Sequence, residues 1–532
     1  MDAARDDPLL AAVREMSHID EVLSRAARLA PEAPCASFDG RHWTHAGFDA
    51  LVGRAAAALR AAGLRAGDRV ALMCTPRPEY LLVLMAVSRA GGVYVGLHPR
   101  CTAVEVAQLL QRVHPRLLLC LRSFEGQDLP SRCVPSDTMV EPPPLLAFDD
   151  LDELLQRLES LPALPAQDPA VADSAALERC AAIVFTSGTT GRPKAAMLTH
   201  DGLLWAAAVQ HLRLSPPAPR LSRLLCHLPI NHVGCLMNLT LGALVGQGSV
   251  VFLPKFSAAA TLRLLVDEGV NVWLQVPAMF HDCVGHPAFD PDALRQLHSI
   301  CIGGGAPSAA TLQRLRESGV PLFVEYGQTE TSSSGAYSDP GADDEVLTHC
   351  IGRFDAHFEM RIVRPDDSLC AVAEVGEIQA RGRLLFAGYF GDAAATREAF
   401  TADGWLHTGD LAEQRADGQV VLRGRLKEMI KSGGLNVYPR EVEQVLESHP
   451  GVAQVVVLGL PDERLGEAVH AVLSLRDAPP DRAALDALCR SQLANYKVPK
   501  SFRAVDRFAL LPNGKIDRVA TRAMAPGLPR LE

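Results

Sequence analysis

Short apolar runs alternate with longer amphipathic stretches along the first third of the chain, the pattern of strands linked by helical crossovers. Residues 68–73, 93–96 and 117–121 read as strands, each a compact apolar run bounded by polar or glycine positions. Between them, residues 77–89 and 103–113 carry apolar side chains at helical spacing. The most apolar stretch, 81–97, is interrupted by Ser88, Arg89 and Gly91-Gly92, so it predicts a buried helix followed by a strand and no membrane span. Residues 122–170 turn rich in proline and acidic side chains, which predicts a surface connection with one helix at 151–161.

The alternation resumes with a strand at 181–185, a helix at 202–212 and a strand at 223–229 that runs into Ile230-Asn231-His232-Val233-Gly234. Further elements follow at 249–253, 258–268, 272–276, 291–297, 299–302 and 308–318, and a strand at 321–325 ends in Tyr326-Gly327-Gln328-Thr329-Glu330. Parallel strands are expected, with a crevice at their carboxyl ends where the Gly-, Thr- and His-rich turns gather. From 360 to about 422 the texture changes to short strands with turn signals such as Ala402-Asp403-Gly404 and Ala416-Asp417-Gly418. A last segment carries its own pattern: helices at 441–447 and 482–495, strands at 452–459 and 470–475. The fold class predicted is α/β: a large N-terminal domain of layered α/β sheets (1–426) with a small β-rich subdomain (about 355–424), then a small α+β C-terminal domain (427–532).

Composition narrows the classes. At 532 residues the chain exceeds one ordinary core, and 48% apolar with 21% charged residues is a globular and not a disordered composition. A net charge of -10 with no basic block argues against a nucleic-acid partner. The thirteen cysteines are scattered without a C-x-x-C pair, and the acidic N-terminus lacks an apolar signal core, so reduced thiols in a cytoplasmic chain are expected.

The chemistry concentrates first where the strand at 181–185 stops. Thr186, Ser187, Gly188, Thr189, Thr190 and Gly191 make six of the nine residues from Thr186 to Lys194 Gly, Ser or Thr. They leave backbone N–H groups unshielded and add four hydroxyls, the donors a loop needs to wrap phosphate oxygens, and Lys194 adds a positive charge. This is not the P-loop of common NTPases: Arg192 and Pro193 separate Gly191 from Lys194, and Ala195 stands where a Ser or Thr would hold Mg²⁺.

The string Thr-Ser-Gly-Thr-Thr-Gly-Arg-Pro-Lys closely resembles the signature of the adenylate-forming superfamily of acyl-CoA synthetases, aryl-CoA ligases, nonribosomal peptide adenylation domains and luciferases. Further segments in the right order resemble that family too, and the resemblance covers about residues 19–520. It implies that Tyr326 lies against adenine, that Thr329 bonds the α-phosphate, and that Glu330, with Thr190, holds Mg²⁺; Glu325, Gly327 and Gln328 belong to the same nucleotide segment. Gly303-Gly304-Gly305-Ala306-Pro307 resembles the small-residue adenine wall, Asp410 the ribose-binding aspartate, and Arg425 the arginine that also contacts the nucleotide. Lys427 falls at the family's hinge, before a C-terminal domain that is mobile. Lys431-Ser432-Gly433-Gly434, with Asn436, Tyr438 and Glu443, resembles the segment that reaches the site for thioester formation, with Gly433 leaving room for a pantetheine arm. Pro512-Asn513-Gly514-Lys515 resembles the catalytic lysine motif. A lysine there replaces repulsion between carboxylate and phosphate with attraction, about 4 kcal/mol per charge pair at ~4 Å and an effective dielectric near ~20.

The resemblance puts the acid among His232, Val233, Met237, Met279, Gly303 and Gln328. His232 joins Lys515, Thr190 and Glu330 in the catalytic set as a group that orients or gates the substrate, since an already ionised acid needs no general base. Two departures stand out: Ala195 where most relatives have Gly, expected to stiffen the loop, and Leu435 in the thiol-acceptor segment. No aspartate follows His232 where amino-acid-activating relatives bind an α-ammonium, which disfavours amino acids. The expectation is an enzyme using ATP, Mg²⁺ and coenzyme A to turn a carboxylic acid, aryl or medium-chain, into acyl-AMP and then a thioester. Delivery to a carrier protein or another nucleophile, and a catalytically silent nucleotide-binding protein, stay open as alternatives, and so does a homodimer.

Overall fold

The computed structural model describes residues 7–133, 142–165, 174–186, 193–433, 435–476, 480–510 and 516–531. It divides into two compact units, Met1–Met360 with Ala380–Leu406, and Arg361–Gln379 with His407–Glu532. The strands that follow residue 406 therefore group with the C-terminal residues.

Among the described residues the first unit holds two large sheets. One runs in the order Arg353–Phe354, Ala336–Tyr337, Leu322–Tyr326, Ser299–Gly303, Val272–Gln275, Arg223–Cys226, Ser249–Phe252, Pro34–Phe38, Arg41–Thr44. The other runs Lys194–Thr199, Cys180–Thr186, Val93–Leu97, Arg69–Met73, Leu117–Leu121, Leu145–Phe148. Interior strands of both are parallel, as the helical crossovers predict. Strand residues such as Val70, Leu72, Val95 and Leu119 are fully buried, because a parallel sheet is covered on both faces. Helix Pro78–Arg89 is buried on nearly every side and is followed by Val93–Leu97, as the broken apolar run predicts. Among the described residues no helix is long and apolar enough to cross a membrane.

The edges depart from the parallel expectation. Cys180–Thr186 pairs antiparallel with Lys194–Thr199. The link between them is too short for a crossover, which needs a dozen residues or more, so a hairpin is the only closure. Leu145–Phe148 adds a parallel edge strand where the sequence predicts only a connection; its four apolar residues are hidden behind Pro142, Pro143 and Pro144, which an edge tolerates. The predicted 291–297 element shrinks to a 3₁₀ turn, Ala293–Gln296, and an unpredicted helix, Pro277–Val284, follows Val272–Gln275.

The two sheets of this unit touch where the candidate chemistry begins. A Cβ on Gly96 would lie 2.4 Å from the Ile230 carbonyl oxygen and 2.8 Å from the Asn231 Cα, so only glycine lets the segment before His232 lie this close. The Tyr94 hydroxyl donates to the same carbonyl at 3.3 Å.

The second unit contains the sheet of Glu359–Val363, Gly376–Arg381, Leu406–Gln414 and Val420–Arg425, whose outer ends run into the first unit's residue set. It also holds a sheet built on the long antiparallel pair Val452–Asp462 and Gly466–Leu475. Helices Pro439–Glu447 and Arg482–Gln492 cover the latter through Val442, Leu446, Leu485 and Cys489. Buried Glu443 accepts from the Val457 amide at 2.9 Å and from Arg518 at 2.8 Å. The ion pair ties helix Arg518–Met524 to this core.

Gly96→Ala is expected to destabilise the protein by about 1–3 kcal/mol, the cost of overpacking against backbone that cannot rotate away. Chemical denaturation of the variant beside wild type reads this directly, and an unchanged midpoint would mean the strand end relaxes freely.

Candidate functional site

The hairpin sets the first part of the site. Thr186 and Lys194 are register partners across its open end, so the last strand residue and the lysine stand side by side at the mouth of the Gly/Ser/Thr loop. Ser187, Gly188, Thr189, Thr190 and Gly191, which carry the loop expectation, lie outside the described residues. Ala195 is not part of the loop. It is a fully buried residue of the regular strand, and its carbonyl accepts from the Phe390 amide at 2.8 Å. Alanine there supports a strand; it does not stiffen a loop.

Lys194 and Glu330 are brought together through a residue the sequence reading did not single out. The Lys194 ammonium sits 4.5 Å from the ring centroid of Tyr389, and the Tyr389 hydroxyl donates to Glu330 Oε1 at 2.8 Å. The backbone around Tyr389 is held like an extra strand: Met197 donates to Gly388 at 2.9 Å, Ala387 to Met197 at 2.8 Å, and Phe386 to the Glu330 carbonyl at 3.0 Å. Burial, then the Glu330 charge and hydrogen bond, push the Tyr389 hydroxyl far above its ordinary pKa, so it stays protonated as a donor. Its only sequence signal is an aromatic run, Phe386-Ala387-Gly388-Tyr389-Phe390, within the segment expected to hold short strands.

Strands Ser299–Gly303 and Leu322–Tyr326 are parallel neighbours and end together. Beyond the first, Gly304 has φ +77, Gly304, Gly305 and Ala306 are exposed, and Pro307 is buried. Beyond the second, the chain turns sharply through the 3₁₀ turn Thr329–Thr331 and two left-handed residues, Ser332 (φ 52) and Ser333 (φ 85). A Cβ on Gly327 would fall 1.4 Å from the Ser333 carbonyl oxygen, so this glycine is required by the chain folding back on itself. Gln328 receives the Thr331 hydroxyl on its carbonyl at 3.2 Å, which fixes the turn carrying Thr329 and Glu330.

His232 precedes a wide π-type helix, Gly234–Leu241, a rare geometry that concentrates at functional positions. Its Nδ1 accepts from the Gly234 amide at 3.0 Å, which leaves the ring proton on Nε2 when the imidazole is neutral. Val233 and Met237 are buried, whereas His232, Met279 and Gln328 keep accessible surface. Asn238, on the same π-type helix, joins a buried polar cluster. Its Nδ2 donates to Gln210 Oε1 at 2.6 Å and to both oxygens of Glu325 at 3.0 and 3.1 Å, and its Oδ1 accepts from Ser333 at 2.5 Å. Burial pushes the Glu325 carboxyl up to about 8 from 4.5.

In the second unit, Asp410 and Arg425 are register partners on antiparallel strands, with Arg425 Nε 3.0 Å from Asp410 Oδ1. The carboxylate is buried and the guanidinium half exposed. Gly409, φ +71, turns its amide to Glu377 at 2.9 Å. Lys427 is exposed in the hydrogen-bonded turn that follows. Lys431 lies on Ile430–Ser432 with its amide on Glu467 at 3.0 Å, and Gly433 adopts φ +59 beside Leu465. Leu435 is exposed. Glu443, which belongs to the segment that resembles the thioester-forming one, accepts from Arg518 at 2.8 Å. Lys515 and Gly434 lie outside the described residues. Leu510 and Ile516 form an antiparallel bridge, and the Asp517 amide donates to the Ala509 carbonyl at 2.8 Å.

Glu330 meets the needs of a divalent cation that binds mainly through phosphate oxygens: one hard carboxylate, one oxygen already oriented by Tyr389. Among the described residues no group of three His, Cys, Asp or Glu gathers into an all-protein metal site. All thirteen cysteines are unpaired thiols.

Comparison with known proteins converges on one family. Residues 23–390 match the model of the AMP-binding enzyme family, and residues 441–515 that of the AMP-binding enzyme C-terminal domain. The chain is 34% identical over 518 residues to an indoleacetate–CoA ligase of Aromatoleum aromaticum, covering 95% of this chain and 98% of that one. It is 33% identical over 497 residues to a feruloyl-CoA synthase of an Amycolatopsis species, covering 92% and 96%. Among solved structures, it is similar to the o-succinylbenzoate CoA synthetase of Bacillus subtilis in complex with its acyl-adenylate intermediate, with 28% identity, TM-score 0.81, and 96% and 99% of the two chains covered.

The raised Glu325 carboxyl makes stability pH-dependent with a definite sign. Its folded pKa of about 8 exceeds the ordinary 4.5, so its contribution is full below about 4.5 and is lost as pH rises through 8. Between about pH 6 and 8 wild type should therefore lose on the order of 2 kcal/mol more stability than Glu325→Gln. Denaturation midpoints of both proteins across that range test it, and parallel curves would refute the assignment.

Proposed function

Because the chain belongs to the AMP-binding enzyme family, we propose a division of its own residues over the two halves of one ligase reaction. The protein is an AMP-forming acid–thiol ligase that uses ATP, Mg²⁺ and coenzyme A. A carboxylate oxygen attacks the α-phosphorus of ATP, pyrophosphate leaves, and the coenzyme A sulfur then attacks the acyl carbon and releases AMP.

The observation that carries the residue assignment is the Lys194–Tyr389–Glu330 arrangement at the mouth of the hairpin. Lys194, Thr186 and the loop residues Ser187, Gly188, Thr189, Thr190 and Gly191 are assigned to the phosphates. Glu330, with Thr190, would hold the metal ion, which supplies charge neutralisation at the phosphates. Tyr326, Gly327, Thr329 and the wall from Gly304 to Pro307 are assigned to adenine and the α-phosphate, Asp410 and Arg425 to the ribose. Lys515 serves adenylation, and Gly433 with Lys431 serves thioester formation, with Lys427 as the hinge between the two steps. His232, with Nδ1 fixed by Gly234, orients the acid.

An aryl acid is the favoured substrate, because the two relatives named above are ligases of indoleacetate and of a feruloyl group. Coenzyme A is the acceptor, and the thirteen free thiols suit a cytoplasmic setting. A panel of aryl and medium-chain acids in a pyrophosphate-exchange assay, followed by mass spectrometry with coenzyme A and candidate carrier proteins, tests both statements. Exchange with no acid would remove the ligase reading, and acylation of a carrier but not of coenzyme A would change the acceptor.

Lys515→Ala should slow adenylation about a hundredfold or more, the loss typical of one electrostatic stabiliser, while thiolation of supplied acyl-AMP persists. Equal losses in both half-reactions would defeat the division of labour. Tyr389→Phe keeps the ring over Lys194 and removes the donor to Glu330. It should lower adenylation about tenfold and raise the Mg²⁺ concentration needed for half-maximal rate, read by metal titration of the exchange rate.

A further inference from the structure

The carboxyl of Glu325 belongs to a polar cluster with Asn238, Gln210 and Ser333. It comes from the strand residue next to Tyr326, and successive strand side chains leave opposite faces, so the two do not serve the same surface. Glu325 instead lies over the end of the neighbouring strand. It is the register partner of Gly303, and a Cβ there would come within 2.6 Å of its Oε1. Glycine at 303 is what leaves room for the carboxyl.

Its hydrogen bonding is incomplete in a specific way. Asn238 gives one N–H to Gln210, so its second N–H is shared between the two Glu325 oxygens. Asn238 Oδ1 is taken by Ser333, and Gln210 Nε2 returns to the Asn238 carbonyl at 2.7 Å. The amide is therefore fixed at both ends, while a carboxyl with about four acceptor positions receives a single donor among the described residues. Among the described residues no cation pairs with Glu325. Asn238 and Gln210 are each 1% exposed, whereas Glu325, one residue from the end of its strand, keeps some accessible surface. The π-type helix that supplies Asn238 also follows His232, which ties the cluster to the acid side of the site.

We propose that Glu325, positioned by Asn238, is the specificity-determining residue of the acid pocket, and that the acid this chain activates carries a hydrogen-bond donor, a hydroxyl or ring N–H, away from its reacting carboxylate. This rests on the adenylation reading. An acid with an apolar group at that place leaves a buried carboxyl short of partners, and sites built to bond a polar substrate group reject the analogue that lacks it strongly. The Glu325 pKa near 8 fits a group whose preferred neighbour is a donor or its own proton and not a cation.

The test uses full-length protein and matched acids, phenylacetate against 4-hydroxyphenylacetate and indole-3-acetate, in pyrophosphate exchange. Wild type should favour at least one donor-bearing acid by about a hundredfold in kcat/KM. Glu325→Leu should collapse that ratio towards one, chiefly through KM, and Glu325→Gln, which keeps an acceptor oxygen and the shape, should retain part of it. Asn238→Leu should reduce the ratio in the same direction, with circular dichroism verifying that each variant folds. A wild type that prefers phenylacetate, or a ratio unchanged in folded Glu325→Leu, overturns the proposal while leaving adenylation intact. Absence of exchange with every acid overturns adenylation and the proposal together.

Discussion

A cation and an anion placed close together pair and neutralise each other unless a third group engages both, and Tyr389 stands in that position between Lys194 and Glu330. Its ring faces the Lys194 ammonium and its hydroxyl holds the Glu330 carboxylate, so both charges are oriented through one side chain without pairing. The backbone on either side of that tyrosine bonds to the lysine's own strand and to the glutamate's own turn. Charge separation here is a property of three segments far apart in sequence, those of Lys194, Glu330 and Tyr389.

The elements legible in the sequence are those whose signal is local. Helices 103–113 and 77–89 and strands 69–73 and 117–121 appear nearly where the apolar pattern predicts, because strands buried on both faces of a parallel sheet are continuous apolar runs and the helices between them keep helical spacing. The hairpin at Thr186 and Lys194 was hidden because its second strand runs straight into a helix at Thr199-His200, with no glycine or proline to mark the boundary. The edge strand at 145–148 was masked by prolines, and the helix at 277–284 by the apolar strand just before it. The π-type geometry at 234–241 leaves no periodic trace at all in eight residues.

Site residues divide the same way. Lys194, Glu330, Asp410 and Arg425 lie in motifs whose residue types announce a charge function, and the structure pairs the last two in register. Tyr389 lacks such a motif, and its role exists only through the contact with Lys194 and Glu330. Gly327 illustrates a reason the sequence cannot supply: the glycine is required by the Ser333 carbonyl six residues on. Glu443 shows the converse, a motif position whose carboxylate is engaged in holding Arg518.

The contact of Gly96 with Ile230 has a consequence for how this catalyst diversifies. The stretch that presents His232 rests directly on the floor of another sheet, with no side chain between to absorb displacement. Enlargement of a residue under that floor would be transmitted as a shift of the imidazole without exchanging any residue of the proposed acid pocket. Substrate range in such a scaffold can therefore drift through silent interior exchanges, and a comparison of pocket linings alone would miss the cause.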